Sequence, residues 1–366
     1  HQHPTRIAPI IALGFATPMR AQVRVCTPRE QCHARRSRSR VAGGVGCQND
    51  GLPMSAPGVS VVIPCYNAER YVAAAIRSAW SQGPAVEVIV VDDGSRDGSV
   101  DAVLGCGIPV TLVRQANAGV AAARNAGAAR AQGRWVAFLD ADDLWLPGKL
   151  SAQLDLLAAH PQVRLAYTAW EVWPSEDVEP AAGLLERLQE SAADAGRWAG
   201  ASGWIYPELL LDCVVWTSTV LAERALLEEL GGFDPGLRIG EDYDLWLRAS
   251  RVTPILRVCA PLALYRIHGS NTTRRAPERN HKAEVVARAI ARWGYGGPDG
   301  RQADRSSVSR QVARSWIDFA AALLHAGDPA RARGAALTAL QSDPSLLGAW
   351  KMLGKTLVRP PGLARR

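Results

Sequence analysis

From Val59 onward, short apolar runs alternate with Ala-rich stretches of helical spacing. Val59–Pro64, Val86–Val91, Ile108–Val113 and Trp135–Leu139 are apolar on both faces, as strands of a parallel sheet covered by helices must be. Between them, Ala68–Gln82, Ser99–Leu104 and Val120–Ala131 carry helical patterns, so the chain begins as βαβαβαβ. Pro147 opens a further helix, Gly148–Ala159, which leads to a strand over Val163–Val172. An acidic, Ala- and Gly-rich stretch then interrupts the pattern up to about Ser202. Strand-like Val214–Leu221, helical Glu223–Leu230, a turn at Gly231–Pro235, helical Glu241–Ala249 and strand-like Ile255–Arg266 complete a second half.

Residues 305–358 read as helical throughout, with breaks at Gly327-Asp328-Pro329 and Asp343-Pro344. Trp316 and Trp350 stand 34 positions apart, with Gly327, Ala332, Ala339 and Pro344 at offsets that resemble a tetratricopeptide repeat. The expected organisation is a basic tail over 1–53, upstream of a start at Met54, and an α/β domain over 54–280. A linker over 281–304, a helical extension over 305–358 and a short tail over 359–366 follow. The extension either caps the body or binds a protein partner.

Of the 366 residues, 48% are apolar and 21% charged, which supports a buried core and excludes a wholly disordered or disulfide-stapled chain. No run reaches the ~18 to 20 apolar residues of a membrane-spanning helix. Ile7–Ala16 is too short for one, and Pro9 makes it a poor signal-peptide core. The net charge of +7 invites a nucleic-acid reading, but residues 1–53 hold eight Arg against Glu30 and Asp50, so the rest is close to neutral. No nucleic-acid partner is expected. Seven Cys without a C-x-x-C pair predict free thiols in a reducing compartment. The cytoplasm, including a peripheral position on the inner face of the membrane, is the expected location.

In an open parallel sheet, ligands bind beyond the carboxyl ends of the strands. Two acidic clusters fall there: Asp92-Asp93-Gly94-Ser95 and Asp140-Ala141-Asp142-Asp143. Five acids exceed what helix capping uses, and unpaired they would repel one another, so a cation is expected between them. The Asp140-x-Asp142 spacing puts alternate residues of an extended segment on one side. All-oxygen ligation suits Mg²⁺ or Mn²⁺ rather than Zn²⁺, and such an ion is commonly shared with substrate phosphates. A diphosphate-bearing ligand follows. No Walker loop follows any strand, which counts against an ATPase.

Six segments, in order, now carry a family resemblance: Val59–Asn67 (VSVVIPCYN), Val90–Ser99 (VVDDGSRDGS), Asn117–Gly127 (NAGVAAARNAG), Phe138–Asp143 (FLDADD), Gly231–Asp234 (GGFD) and Gly240–Trp246 (GEDYDLW). Over about residues 59–270 the chain resembles the family 2 inverting glycosyltransferases of the GT-A fold. That implies a mostly parallel central sheet flanked by helices, here with a small α-helical extension. It also implies transfer from a nucleotide-diphosphate sugar, by default a UDP-sugar, to a hydroxyl of a glycan, lipid-linked or protein acceptor in polysaccharide biosynthesis.

The resemblance also implies roles. Pro64, Tyr66 and Asn67 would border the nucleotide, with Tyr66 stacking on the base. Asp93 would bond the base edge, and Asp92 and Gly94 would support the ribose or the turn. Arg124 would sit beside the nucleotide, and Asp140 and Ala141 would approach the ribose. Asp142 would hold the Mg²⁺ or Mn²⁺ ion, with Asp140 and His268 as further metal candidates. Inversion needs a base to take the acceptor proton. The resemblance points to Asp242, supported by Glu241; Trp246 lines the acceptor pocket or belongs to the core. Lys149 could reach phosphate, but as a first-turn helix residue near Asp143 it is expected as a surface ion pair.

Other classes fit less well. A nucleotidyltransferase would want a Gly-rich basic loop where Pro64–Asn67 stands, and a glycosidase needs neither base-stacking nor metal positions. A catalytically weak nucleotide-sugar binder acting through its helical extension is the remaining alternative. Loss of Asp142 or Asp242 would favour it, and both are present.

Overall fold

The structure, a computed structural model, describes residues 58–358 except 84, 195 and 270–277. The expected basic tail, the start at Met54 and the C-terminal tail lie outside the described residues. The first half runs β1 (Val59–Cys65), α1 (Val72–Trp80), β2 (Val86–Asp92), α2 (Ser99–Leu104), β3 (Thr111–Arg114), α3 (Val120–Ala128) and β4 (Trp135–Phe138). The chain continues through β5 (Leu144–Trp145), α4 (Lys149–Ala159), β6 (Leu165–Pro174), α5 (Ala182–Ser191) and α6 (Tyr206–Leu209). It then forms β7 (Leu221–Glu223), α7 (Arg224–Glu229), α8 (Glu241–Ala249), β8 (Ile255–Ile267) and α9 (His281–Trp293).

The strands form one mixed sheet in the order β3-β2-β1-β4-β7-β6-β8-β5. β1, β2, β3 and β4 pair in parallel, whereas β7 runs antiparallel to both β4 and β6. Side chains alternate across β1, and both faces are covered. Val62 enters one core with Phe138 and residues of α3, α8 and α9, while Val61 and Ile63 enter the other with α1 and α4. A Cβ at Gly127 would stand 2.3 Å from Val62 Cγ1, so the absence of a side chain lets α3 press onto β1.

Several segments differ from the sequence expectation, and the acidic stretch before Ser202, expected without an element, holds α5. Val214–Leu221 is not one strand: Thr217–Thr219 form a 3-10 turn and β7 begins at Leu221. The hydroxyls of Thr217 and Ser218 are committed to carboxylates there, as described below. Residues 281–304, expected as a linker, contain α9, whose Val285, Val286 and Ala289 are buried in the core on the α3 side of the sheet. β5 is two residues long, too short to leave a periodic signal.

The described chain divides into two compact units, 58–269 with 281–312, and 278–280 with 313–358. The second contains most of α10 (Arg305–His325), with α11 (Pro329–Ser342) and α12 (Leu347–Val358). Its own core is built on Ala320, Leu323, Ala332, Ala335, Ala336 and Met352. Among the described residues, no helix is long and apolar enough to cross a membrane.

Candidate active site

The parallel register sets Cys65 opposite Asp92, so Pro64–Asn67 and Asp92–Gly94 share the rim of the sheet at the carboxyl ends of the strands. Tyr66 is 50% exposed at that rim. The turn behind it is rigid: Asn67 adopts φ 51°, its Oδ1 accepts from Arg96 N at 2.8 Å, and its N donates to Ser95 Oγ at 3.0 Å. Buried Asp92 accepts from Ser95 N through Oδ1 at 3.1 Å. Gly94 has φ +77°, and a Cβ there would meet Asn117 N at 2.9 Å. Asp93 ties this rim to the loop before α3. Its Oδ1 accepts from Gln115 Nε2 (2.7 Å) and Ala118 N (2.8 Å), and its Oδ2 from Gly119 N (2.8 Å).

A buried guanidinium joins the second acidic loop to α8. Arg124 donates through Nη1 to Glu241 Oε1 at 2.6 Å and through Nη2 to Asp140 Oδ1 at 2.7 Å, with its guanidinium carbon 5.3 Å from the Phe233 ring centroid. Burial alone would lower the pKa of Arg124, but Asp140, Glu241 and Asp242 outweigh it and raise that pKa. One cation faces three carboxylates. Burial and the neighbouring Asp242 push Glu241 up to about 7 despite the pull of Arg124. Asp140 is also raised, by burial and by Asp142, against the opposing pull of Arg124.

Within the same loop, Ala141 is buried in the core, and Asp143 is buried behind Asp142. Asp143 accepts from Ser218 Oγ (2.7 Å) and from Arg266 N (3.0 Å). Burial, with Asp142 and Asp140 nearby, raises it well above the ordinary carboxyl range. Fully buried Arg266 braces the loop: its Nε donates to the Asp142 carbonyl at 2.7 Å, and its Nη2 to the Val178 carbonyl at 3.0 Å. Its guanidinium carbon lies 4.5 Å from the Tyr71 ring centroid and 4.1 Å from that of Trp173. Sequence reasoning missed this residue; its only signal was an arginine near the end of a largely apolar strand, which also holds Arg257.

His268 Nε2 lies 3.0 Å from Asp142 Oδ2. Among the described residues, no three His, Cys, Asp or Glu side chains converge as a complete metal cage. Asp142 and His268 nonetheless form a partial donor set suited to a Mg²⁺ or Mn²⁺ ion that takes its other ligands from phosphate oxygens and water. Asp140, the further metal candidate, is engaged by Arg124.

Asp242 opens α8, where its Oδ2 accepts from Thr217 Oγ1 at 2.8 Å. The next residue, Ser218, bonds Asp143 through Oγ and accepts from Asp140 N at 3.1 Å. Two consecutive hydroxyls thus tie Asp242 to the Asp140–Asp143 loop. Trp246 is fully buried and packs edge-on against Phe233, so it belongs to the core and offers an acceptor no surface. Lys149 also departs from expectation. It is fully buried, with Nζ 2.8 Å from Gln153 Oε1 and 4.0 Å from the Trp145 ring centroid. Burial holds its amine well below the usual lysine range.

Acidic loops thus lie at the strand ends of a mixed α/β sheet, with a carboxylate at the start of a nearby helix. Residues 60–169 match the model of Glycosyl transferase family 2. A glycosyltransferase of Nostoc sp. is 32% identical over 239 residues, covering 63% of this chain and 71% of its own. The E. coli UDP-Glc:alpha-D-GlcNAc-diphosphoundecaprenol beta-1,3-glucosyltransferase WfgD is 30% identical over 192 residues, covering 52% of this chain and 68% of its own. Among solved structures, S. aureus TarS 1-349 in complex with UDP-GlcNAc has the same fold. Its TM-score is 0.55 at 16% identity, over 81% of this chain and 90% of that one. The chain belongs to glycosyltransferase family 2, and it is an enzyme of that class.

Proposed function

We propose that this glycosyltransferase is inverting and moves a sugar from a UDP-sugar to a hydroxyl acceptor in cell-surface polysaccharide synthesis. Asp242 is the base that takes the acceptor proton as the hydroxyl oxygen attacks the anomeric carbon and the nucleoside diphosphate departs from the opposite face. The observation that carries the reading is the Thr217-Ser218 pair, which holds Asp242 with one hydroxyl and the Asp140–Asp143 loop with the other. Thr217 donates to Asp242, which orients one carboxylate oxygen and leaves lone pairs for the incoming hydroxyl. Tyr66 offers an exposed ring to the base, and the Asp92–Gly94 turn borders the ribose. A divalent ion held by Asp142 and His268 would neutralise the departing diphosphate. The donor named for WfgD supports a UDP-sugar, and its acceptor supports a sugar carried on a lipid diphosphate. The helical extension is assigned to capping or partner binding, and the reaction to the cytoplasmic face.

A thermal-shift panel of UDP, dTDP, GDP, CDP and ADP, each with and without Mn²⁺, tests the reading. A ligand at ~100 times its Kd adds about 2.7 kcal/mol. UDP is expected to stabilise the chain, and more so with Mn²⁺. Stabilisation by none of the five would remove the proposal.

A further inference from the structure

Three aromatic side chains meet around Trp216, one residue before the Thr217 that bonds Asp242, and have no part in the donor machinery. The Trp216 ring stands 4.8 Å from that of Tyr265 in a T-shaped contact and 5.9 Å from that of Trp170. All three are partly exposed, and so is Val172, at 41%, which pairs with Tyr265 across the β6–β8 ladder. A core would bury such groups. Instead, two adjacent strands and the turn before β7 hold a partly open apolar strip at the surface.

Its position is specific. Trp216 immediately precedes Thr217, the residue that bonds Asp242. Tyr265 immediately precedes Arg266, which braces the Asp142 carbonyl. The strip is therefore anchored, through adjacent backbone, to both the proposed base and the acidic loop. Trp170 is further fixed by packing on the cores of both sheet faces and by Arg257, whose guanidinium carbon lies 5.8 Å from its ring centroid.

We propose that Trp216, Tyr265 and Trp170 form the acceptor subsite, and that the acceptor presents a pyranose ring. One face of a pyranose is a patch of C–H groups and its rim is hydroxyls. A rigid aromatic strip takes the apolar face and leaves the rim free, one hydroxyl of it toward Asp242. This inference rests on the reading of Asp242 as base. The acceptor is then a sugar rather than a protein hydroxyl, because a serine or threonine side chain has no ring face to cover the strip.

The test uses the full chain saturated with UDP and Mn²⁺, with methyl β-D-glucopyranoside and methyl N-acetyl-β-D-glucosaminide as probes. Binding is read by saturation-transfer NMR and tryptophan fluorescence. At least one pyranoside is expected to bind wild type about tenfold more tightly than Trp216→Ala or Trp170→Ala, as the loss of a stacked aromatic implies. Trp216→Phe should restore most of the loss, and all variants should keep the wild-type UDP thermal shift. Equal pyranoside binding in wild type and Trp216→Ala overturns the subsite, as does no pyranoside binding to a UDP-loaded wild type. A wild type that binds no UDP brings down the transfer reading itself, a failure seen with a different ligand.

Discussion

Arg124 and Glu241, 117 residues apart in sequence, meet in the buried interior with Nη1 2.6 Å from Oε1. The same guanidinium holds Asp140, so the acidic loop after β4 and the start of α8 are fixed to one cation. Removing the cation strands two carboxylates. Arg124→Met should lower unfolding stability by about 3 to 5 kcal/mol, the usual cost of breaking a buried pair. In urea titrations, adding Glu241→Gln to that variant should recover at least about 1 kcal/mol. A purely additive double variant would show that the two residues are not coupled.

Glu241 also sets a pH dependence. Its pKa is pushed up to about 7 by burial and by Asp242, above the ordinary value of 4.5. The unfolded chain therefore loses this proton first as pH rises. The stability that the bound proton contributes is fully present below pH 4.5 and is lost as pH rises through 7, a change of about 3 kcal/mol. The Tm of wild type should fall more between pH 5 and 7.5 than that of Glu241→Gln. Parallel Tm curves for the two proteins would contradict this.

Lys149 carries the opposite sign. Burial favours its neutral amine, while in the unfolded chain the amine stays protonated to about pH 10. The penalty is greatest at neutral pH and fades as pH approaches the unfolded value. Lys149→Met should therefore change Tm more favourably, relative to wild type, at pH 7 than at pH 10. A difference independent of pH would mean that the amine is solvated and ordinary.

For the metal, the expected signature is selective. Asp142→Asn should keep the UDP thermal shift measured without Mn²⁺ and lose the increment that Mn²⁺ adds, with His268→Ala losing part of it. Persistence of the full increment in Asp142→Asn would place the ion elsewhere.

Much of this was legible in the sequence. The parallel half was, because β1, β2 and β4 are apolar on both faces and α2 and α8 begin where the pattern begins. The acidic loops were too, since strand-end carboxylates in such a sheet have few structural uses. Contacts made only by folding were not. Nothing in the local pattern marks Thr217 and Ser218 as hydroxyl partners of acids 25 and 75 residues away. Arg266 bonds a carbonyl 124 residues distant. Lys149 lies in a first helical turn, where lysine is ordinarily solvated, yet α4 turns that position inward. Trp246 was ambiguous because it lies four residues after Asp242 on the same face of α8, and only folding shows that this part of the face is buried. The apolar spacing of Val285, Val286 and Ala289 could have revealed α9, but the Arg-rich stretch around it resembles a linker.

The most direct measurement compares wild type with Asp242→Asn for UDP release from UDP-glucose and UDP-N-acetylglucosamine with Mn²⁺, alongside the UDP thermal shift. The sugar passes to the hydroxyl of water or of an added methyl pyranoside. The expected result is an unchanged shift with UDP release reduced by about 10²-fold or more, as loss of a general base implies. Wild-type rates of release in Asp242→Asn would contradict the assignment of the base, and with it the central claim.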